Sequence, residues 1–305
     1  MMHSFEDILE AAKRGGKKNM VVPRPVAADF PVLARASAAG LIRPCFVGNG
    51  GTLKALAGGS LPAEGEYEIL EENDPQRVLG RALAAVRDGA GDILMQGGIA
   101  AEDLLRALRD RDAGLLPAGG GVSHVSVFPL LKTEKLILIT DTYIHNHPNL
   151  VEKQQILTNA LQLARLMGIE TPKTAVLAAI EQVNPGIPST LDAAILSKMA
   201  ERRQFGKAVV EGPLDIDCAL SQTAAKRKGL QSTVTGDVDI YLVPEIDTGY
   251  LLAQALVFIG RMQTAGIVVG TSRPVILNLP FVSPENRIVE IALACLLCEG
   301  GEANG

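Results

Sequence analysis

Two loops of this chain combine glycine, proline and acidic residues, and each lies at the end of a short apolar run. The first loop is residues 211–217, with the sequence EGPLDID, and the second is residues 244–249, with the sequence PEIDTG. The apolar runs at 208–210 and 240–243 are typical of buried strands, and a helical pattern lies between them. A strand–helix–strand unit makes a parallel pair of strands, and ligands bind outside the carboxyl ends of parallel strands. We therefore predict a ligand site at these two loops.

A pair of histidines follows an acidic residue at another predicted strand end. His145 and His147 lie in the sequence HNHP, a few residues after Asp141. Such a pair near a carboxylate can bind a metal ion, or supply a general base near neutral pH. No third metal ligand is evident from the sequence, so we predict two solvated loop histidines and no metal site.

Three further features each have a functional and a structural interpretation. The glycines at 119–121 can gather backbone amides around an anion or form a hinge, and the sequence favours neither. Arg24 and Arg273 lie at predicted strand ends, where arginines more often are surface charges than anion contacts. Cys295 and Cys298 form a C-x-x-C within an apolar helical pattern, which favours two core cysteines over a redox pair.

Strand and helix patterns alternate along the whole chain. One example is the apolar run 136–141, followed by a helical period over 150–168 and a second apolar run over 174–180. Ser189 or Thr190 is placed to cap the next helix, predicted over 191–200. Alternation of this kind predicts an α/β fold with mainly parallel sheet layered with helices.

The composition predicts a cytoplasmic protein with an aliphatic core. Of 305 residues, 47% are hydrophobic but only 4% are aromatic, and there is no tryptophan. The net charge of −5 and the absence of a long basic run argue against nucleic acid as a partner. No apolar run has membrane-spanning length, and the first residues lack the features of an export signal. Four cysteines are too few for a disulfide framework in a chain of this size.

Several motifs together resemble those of the phosphate acyltransferases, the phosphotransacetylase and phosphate butyryltransferase family. The segment 211–221, EGPLDIDCALS, is similar to the family pattern D-G-P-L-x-x-D-x-A-x-S, and residues 236–249 are similar to the segment that follows it. Residues 181–185, EQVNP, and 189–194, STLDAA, are similar to E-x-V-N-P and S-T-x-D-A-A. With further matches at Ser123-His124, Asp141, Lys153 and Asn159, the resemblance covers most of residues 90–270.

The resemblance implies a fold and a reaction. It implies two α/β domains, the first built from residues 1–129 plus 272–305 and the second inserted as residues 130–271, with the active site in the cleft between them. The implied reaction moves an acyl group between coenzyme A and inorganic phosphate. The partners are then acyl-CoA or acyl phosphate, with the coenzyme A thioester as a substrate and no bound cofactor, and the implied assembly is a homodimer.

The resemblance also assigns site residues, and the family's catalytic residues fall on different residue types here. The family motif L-T-S-R-A-D-S aligns with residues 277–283, so its serine, arginine and aspartate fall on Leu279, Pro280 and Val282. A second phosphate-binding arginine falls on Gly120. Substrate-binding positions are retained at Ser123, His124, Asp141, Asn159, Asn184 and Ser283.

These replacements leave three functional hypotheses open. The first is phosphate acyltransfer. The second is a related protein without that activity, which binds acyl-CoA or another anionic metabolite. The third is altered chemistry that uses His124, His145, His147 or Asp141 in place of the replaced groups.

Overall fold

The computed structural model describes residues 1–110, 115–130 and 134–302, which fold as two compact units. The terminal unit contains Phe5–Val122 and the chain from Gln263 onward, and the central unit contains Met1–Ser4 and Ser123–Met262. Both units alternate strands and helices, which confirms the predicted α/β class. The predicted domain boundaries at 129/130 and 271/272 stay a prediction. No helix in these described ranges combines the length and the apolar character needed to cross a membrane.

Within the described residues, the terminal unit contains six strands and the helices that connect them. In chain order the elements are α1 (Phe5–Arg14), β1 (Lys18–Pro23), α2 (Asp29–Ala38), β2 (Ile42–Gly48), α3 (Gly50–Ala57), β3 (Glu68–Glu71), α4 (Val78–Arg87), β4 (Ile93–Met95), α5 (Ala101–Arg109), and, after the central unit, β10 (Ala265–Val269), β11 (Val275–Ile276) and α11 (Arg287–Glu302). The strand order is β3-β2-β1-β4-β11-β10, parallel except between β10 and β11.

The central unit carries the loops that the sequence singles out. Its elements are β5 (Ser123–Leu130), β6 (Lys135–Thr140), α6 (Leu150–Leu166), β7 (Lys173–Leu177), α7 (Pro188–Glu201), β8 (Val209–Leu214), α8 (Ile216–Leu220), α9 (Gln222–Arg227), β9 (Ile240–Leu242) and α10 (Ile246–Gln254), followed by a π-helical turn (Ala255–Ile259). The strand order is β5-β6-β9-β7-β8, with β5 and β6 antiparallel and the other pairs parallel.

The strands of the predicted strand–helix–strand unit are parallel but not adjacent. β7 lies between β8 and β9 and pairs with both. Four consecutive residues of β7 are buried, whereas β8 keeps half-buried positions. A strand covered on both faces takes the inner position and the less buried strand takes the edge. The prediction of a direct pair was therefore wrong, although both loops still lie at the carboxyl ends of parallel strands, with β7 between those strands.

Two local helix predictions also differ from the structure. The helical pattern between the apolar runs 208–210 and 240–243 forms two short helices. They are divided because Ser221 has extended backbone and its hydroxyl accepts a hydrogen bond from the Ala224 amide at 3.2 Å. Neither Ser189 nor Thr190 caps α7, which begins earlier, at Pro188. Proline suits the first helical position because its missing N–H would have no partner inside the helix.

The interior is aliphatic, as the composition predicts, and includes the two cysteines of α11. Cys295 and Cys298 are both buried free thiols. Burial raises the pKa of each thiol to about 12, so neither forms a reactive thiolate near neutral pH. The prediction of core cysteines is confirmed.

Candidate functional site

A cavity of about 900 Å³ in the central unit is the candidate site. Asp215 and Ile216 line it from the first predicted loop, and Pro244, Glu245 and Thr248 line it from the second. It lies where β7, β8 and β9 end, which is the edge at which parallel sheets bind ligands. The volume is that of a small-molecule site rather than a packing defect.

The wall of the cavity is mostly apolar. Leu177 ends β7, Ala178 and Ala179 follow it, and all three line the cavity together with Leu252 of α10. Apolar walls with a few polar groups are typical of ligand pockets, where burial supplies affinity and the polar groups set orientation. The wall therefore suits a small aliphatic group.

Three helices of eight or more residues begin at this cavity. Asn149 caps α6, accepting hydrogen bonds from the amides of Val151 and Glu152, while the Glu152 side chain accepts from the Asn149 amide. α7 and α10 also begin there, and neither has a side-chain cap. The amides of a helix N-terminus carry partial positive charge and bind anions. The polar part of the cavity therefore suits an anionic group.

A buried ion pair joins two helices at the cavity. Lys153 Nζ of α6 lies 2.7 Å from Asp192 Oδ2 of α7, and only 7% of the lysine side chain is exposed. Both residues line the cavity. Because each charge is neutralised by the other, the pair holds α6 against α7 and adds little net charge to the site.

Removing one partner of this pair is expected to destabilise the protein. Lys153→Met keeps the aliphatic volume but leaves the Asp192 carboxylate without its cation, and Asp192 is 23% exposed, so water partly replaces the lysine. We expect the free energy of unfolding to fall by about 2 kcal/mol, less than for a fully buried pair. Urea denaturation measures the change, and the double variant Lys153→Met with Asp192→Leu is expected to regain most of the loss. Equal losses in the single and double variants would contradict this role.

Each histidine of the H-N-H-P segment is paired with its own carboxylate. His145 Nδ1 lies 2.7 Å from Asp141 Oδ2, and the other Asp141 oxygen accepts hydrogen bonds from the amides of Tyr143 and Ile144. His147 Nδ1 lies 2.8 Å from Glu245 Oε2. The two histidines therefore contact different carboxylates.

The prediction of two solvated histidines holds for one of them. His147 is 77% exposed, whereas the His145 side chain is 17% exposed and lies against a buried aspartate. His147 and Glu245 line the cavity, and they are 98 residues apart in the chain.

Three of the predicted substrate-binding residues are buried polar residues on β5 and α6. Asn159 Nδ2 donates to Ser123 Oγ at 2.9 Å, and His124 Nδ1 lies 2.7 Å from Thr142 Oγ1. Ser123, His124 and Asn159 are all at most 2% exposed. Burial lowers the pKa of His124 to about 4, against the opposing effect of Asp141, so this histidine is neutral at pH 7. A substrate-binding role for these residues stays a prediction.

The other predicted positions lie in separate loops. The Asn184 carboxamide oxygen accepts from the Gly186 amide at 2.9 Å in an exposed turn. Ser283 Oγ accepts from the Asn286 amide at 3.2 Å just before α11, and the Gly120 amide donates to the carbonyl of Pro117. These contacts stabilise local turns, and a role in substrate binding stays a prediction for Asn184 and Ser283.

The segment at 277–283 is packed rather than open. Leu279, Phe281 and Val282 are at most 6% exposed, and Pro280 is exposed. The polar groups beside this segment bind one another. The Asn278 amide donates to Gln96 Oε1 at 2.8 Å, and Arg287 Nη1 donates to Asn278 Oδ1 at 2.9 Å and to the carbonyl of Leu277 at 3.1 Å.

Sequence reasoning missed a charged cluster beside the cavity. Glu181, Asp215, Asp217 and Cys218 place possible metal-ligand atoms within 4.8 Å of one another. The ammonium group of Lys228 contacts all three carboxylates, at 2.6 Å for Glu181 and 3.0 Å for Asp217. Hydrogen bonds to Asp215 and then to Glu181 and Asp217 raise the pKa of Lys228. A lysine ammonium therefore serves as the cation of this cluster.

The two arginines considered as anion contacts have partners of their own in the terminal unit. Arg24 Nη2 donates to the carbonyl of Gly98 at 2.7 Å, and Arg273 lies 3.8 Å from Asp92. These contacts fit the interpretation of both arginines as structural or surface charges.

The chain is similar along most of its length to proteins of one family. Residues 64–295 match the family model described as Phosphate acetyl/butaryl transferase. A phosphate butyryltransferase of Clostridium acetobutylicum is 37% identical over 300 residues, which cover 97% of this chain and 99% of that protein. A phosphate acetyltransferase of Thermotoga maritima is 34% identical over 293 residues, which cover 96% and 99%.

The fold is also that of a solved acyltransferase. The crystal structure of a branched-chain phosphotransacylase from Enterococcus faecalis V583 superposes with a TM-score of 0.77 at 26% identity. The superposition covers 92% of this chain and 99% of that one. The sequence relatives and the solved structure therefore indicate the same family, and each of these matches covers more than nine-tenths of this chain.

Proposed function

Because this chain belongs to the phosphate acetyl/butaryl transferase family, we propose that it transfers a short acyl group between coenzyme A and inorganic phosphate. The reaction is acyl-CoA plus phosphate to acyl phosphate plus coenzyme A. The names of the relatives support butyryl or a branched short chain as the acyl group. No bound cofactor is needed, because coenzyme A enters and leaves as a substrate.

The cavity of the central unit is the observation that carries the proposal. An acyl chain and the thiol end of coenzyme A are mostly apolar, and the walls at Leu177, Ala178 and Leu252 suit them. Acyl phosphate and phosphate are anions, and the uncapped N-termini of α7 and α10 offer backbone amides to an anion. Lys153 is neutralised by Asp192, so it adds little to anion binding.

A direct assay tests the proposal. Purified protein is mixed with butyryl-CoA and phosphate, and the release of coenzyme A thiol is measured, with acetyl-CoA as the second acyl donor. We expect turnover that needs phosphate. Ala179→Phe places a ring at an exposed position of the cavity wall and is expected to raise KM for the acyl-CoA. Ala55→Phe, an exposed position on α3, is the matched control and is expected to leave KM unchanged.

The packed segment at 277–283 favours a second candidate function. By the resemblance, the family's catalytic positions fall on Leu279, Pro280 and Val282. Leu279 and Val282 are buried, and the neighbouring Asn278 and Arg287 are hydrogen-bonded to each other. On this hypothesis the chain binds acyl-CoA or another anionic metabolite in the same cavity without transferring the acyl group. Tight binding of butyryl-CoA by calorimetry with no thiol release would support it and exclude the transferase. Neither binding nor release would exclude both functions.

We extend the proposal to a cytoplasmic homodimer. The four cysteines are free thiols, which is typical of a reducing compartment. Leu251, Phe258 and Ile259 are 65%, 63% and 83% exposed on one helical stretch, and a second copy of the chain is the occupant we propose for this apolar surface. Sedimentation equilibrium measures the assembly, and a monomer at micromolar concentration would contradict this part of the proposal.

A further inference from the structure

The rim of the cavity carries a histidine and a carboxylate in a catalytic arrangement. His147 lies in the loop between β6 and α6, and Glu245 immediately precedes α10. Their contact of 2.8 Å joins His147 Nδ1 to Glu245 Oε2, and both residues line the cavity. The described ranges contain no other hydrogen-bond partner for the His147 ring. Its Nε2 is therefore the ring nitrogen that remains for a ligand.

This pairing has chemical consequences. A carboxylate that accepts the Nδ1 proton holds the imidazole in the tautomer whose Nε2 has a free lone pair. It also stabilises the imidazolium that forms when Nε2 takes a proton. An imidazole oriented in this way is suited to general base catalysis near neutral pH.

The other histidines are less suited to this role. His124 is fully buried and hydrogen-bonded to Thr142, and His145 contacts the buried Asp141 and does not line the cavity. By the resemblance, the family's catalytic aspartate falls on Val282, whose side chain cannot accept a proton. Among the residues that line the cavity, His147 is the histidine and Glu245 is the carboxylate that contacts it.

We propose that His147 is the general base of this chain and that Glu245 is its positioning residue. The proposal rests on the acyl transfer proposed above. In the direction from acyl phosphate, the S–H bond of coenzyme A breaks and its proton passes to His147 Nε2. The sulfur then bonds to the acyl carbonyl carbon, and the bond from that carbon to the phosphate oxygen breaks with its electron pair. The leaving phosphate takes the proton back from the imidazolium, which restores neutral His147.

Kinetics of single variants test this assignment with butyryl phosphate and coenzyme A as substrates. His147→Ala is expected to lower kcat by about 100-fold, the usual contribution of a general base, with KM little changed. Added imidazole is expected to restore part of the lost rate. Glu245→Gln keeps a hydrogen-bonding group of similar size and is expected to lower kcat, but not to change KM. His3→Ala is the matched control, because His3 is an exposed histidine that does not line the cavity.

A second measurement does not depend on turnover. If His147 takes the thiol proton, binding of coenzyme A to the wild-type protein produces the ultraviolet absorbance of a thiolate, and His147→Ala loses it. Wild-type turnover with an unchanged rate in His147→Ala would overturn this assignment and leave the proposed reaction in place. Absence of turnover with every acyl donor would overturn the proposed reaction. Coenzyme A bound without a thiolate signal would overturn the role of His147 in either case.

Discussion

Val282→Asp is expected to lower the free energy of unfolding by about 4 kcal/mol, because it puts an unpaired carboxylate into a packed interior. Val282 is 6% exposed, between the buried Phe281 and the half-buried Ser283. By the resemblance, the family's catalytic aspartate falls on this position, so the variant also measures whether the segment can accommodate a carboxylate. Urea denaturation at pH 8 measures the change.

Two controls separate charge from packing. Val282→Thr has nearly the same shape and adds one hydroxyl, which is expected to cost about 1–2 kcal/mol if it finds no partner. Pro280→Asp puts the same charge at the exposed neighbouring position and is expected to have little effect. If Val282→Asp is as stable as the wild type, a cation such as Arg287 reaches the new carboxylate. The interpretation of residues 277–283 as a packed apolar segment would then be wrong.

Glu290→Gln is expected to remove a pH dependence of stability worth about 3 kcal/mol, the free energy that corresponds to the shift in the pKa of Glu290. Glu290 lies on α11 and is fully buried. Burial raises the pKa of its carboxyl from 4.5 to about 7, while Arg287 and the hydrogen bond from the Gly266 amide oppose the shift. The guanidinium of Arg287 is 3.4 Å from the second Glu290 oxygen.

The direction of the pH effect follows from this raised pKa. The folded protein holds the Glu290 proton more tightly than the unfolded chain does, so the stabilisation is complete below pH 4.5 and is lost as the pH rises through 7. Unfolding free energies at pH 5 and pH 8 are expected to differ less in Glu290→Gln than in the wild type. Glu285→Gln, an exposed acid close by in the chain, is the control and is expected to keep the wild-type difference. The same pH dependence in Glu290→Gln and the wild type would contradict the assignment.

Val282→Asp and Glu290→Gln both test how charge is accommodated among the residues that follow β11. Arg287, Asn278 and Gln96 hydrogen-bond to one another or to backbone, so their polar groups stabilise the fold. The proposed base, His147, lies instead in the central unit, where Glu245 contacts it at the cavity. This distribution is why the proposed reaction and the proposed base both depend on the cavity at β7, β8 and β9.

The position of that cavity could be predicted from the sequence, but its charged pairs could not. The loops 211–217 and 244–249 follow apolar runs, and each pattern is contained within about ten residues, so the strand ends are visible in the sequence. The pairing of Lys153 with Asp192 joins residues 39 positions apart, and that of His147 with Glu245 joins residues 98 apart. No periodic pattern among neighbouring residues indicates which distant charged residue will form the pair.

Errors in the fold prediction have the same origin. The strand–helix–strand pattern was visible, but the insertion of β7 between β8 and β9 depends on which strand buries both faces. The division of the helix at Ser221 was missed because a serine in a helical pattern also suits an N-cap, and only the extended backbone of Ser221 decides between the two.

The amino-acid sequence by itself determined the α/β class, the aliphatic core and the family, because strand and helix periods and short motifs are properties of neighbouring residues. The tertiary structure alone decided that Leu279 and Val282 are packed, that Glu290 is buried and that His147 meets Glu245 at a cavity. Burial and the distance between charges depend on how remote segments pack, and these two quantities set the chemistry of each side chain.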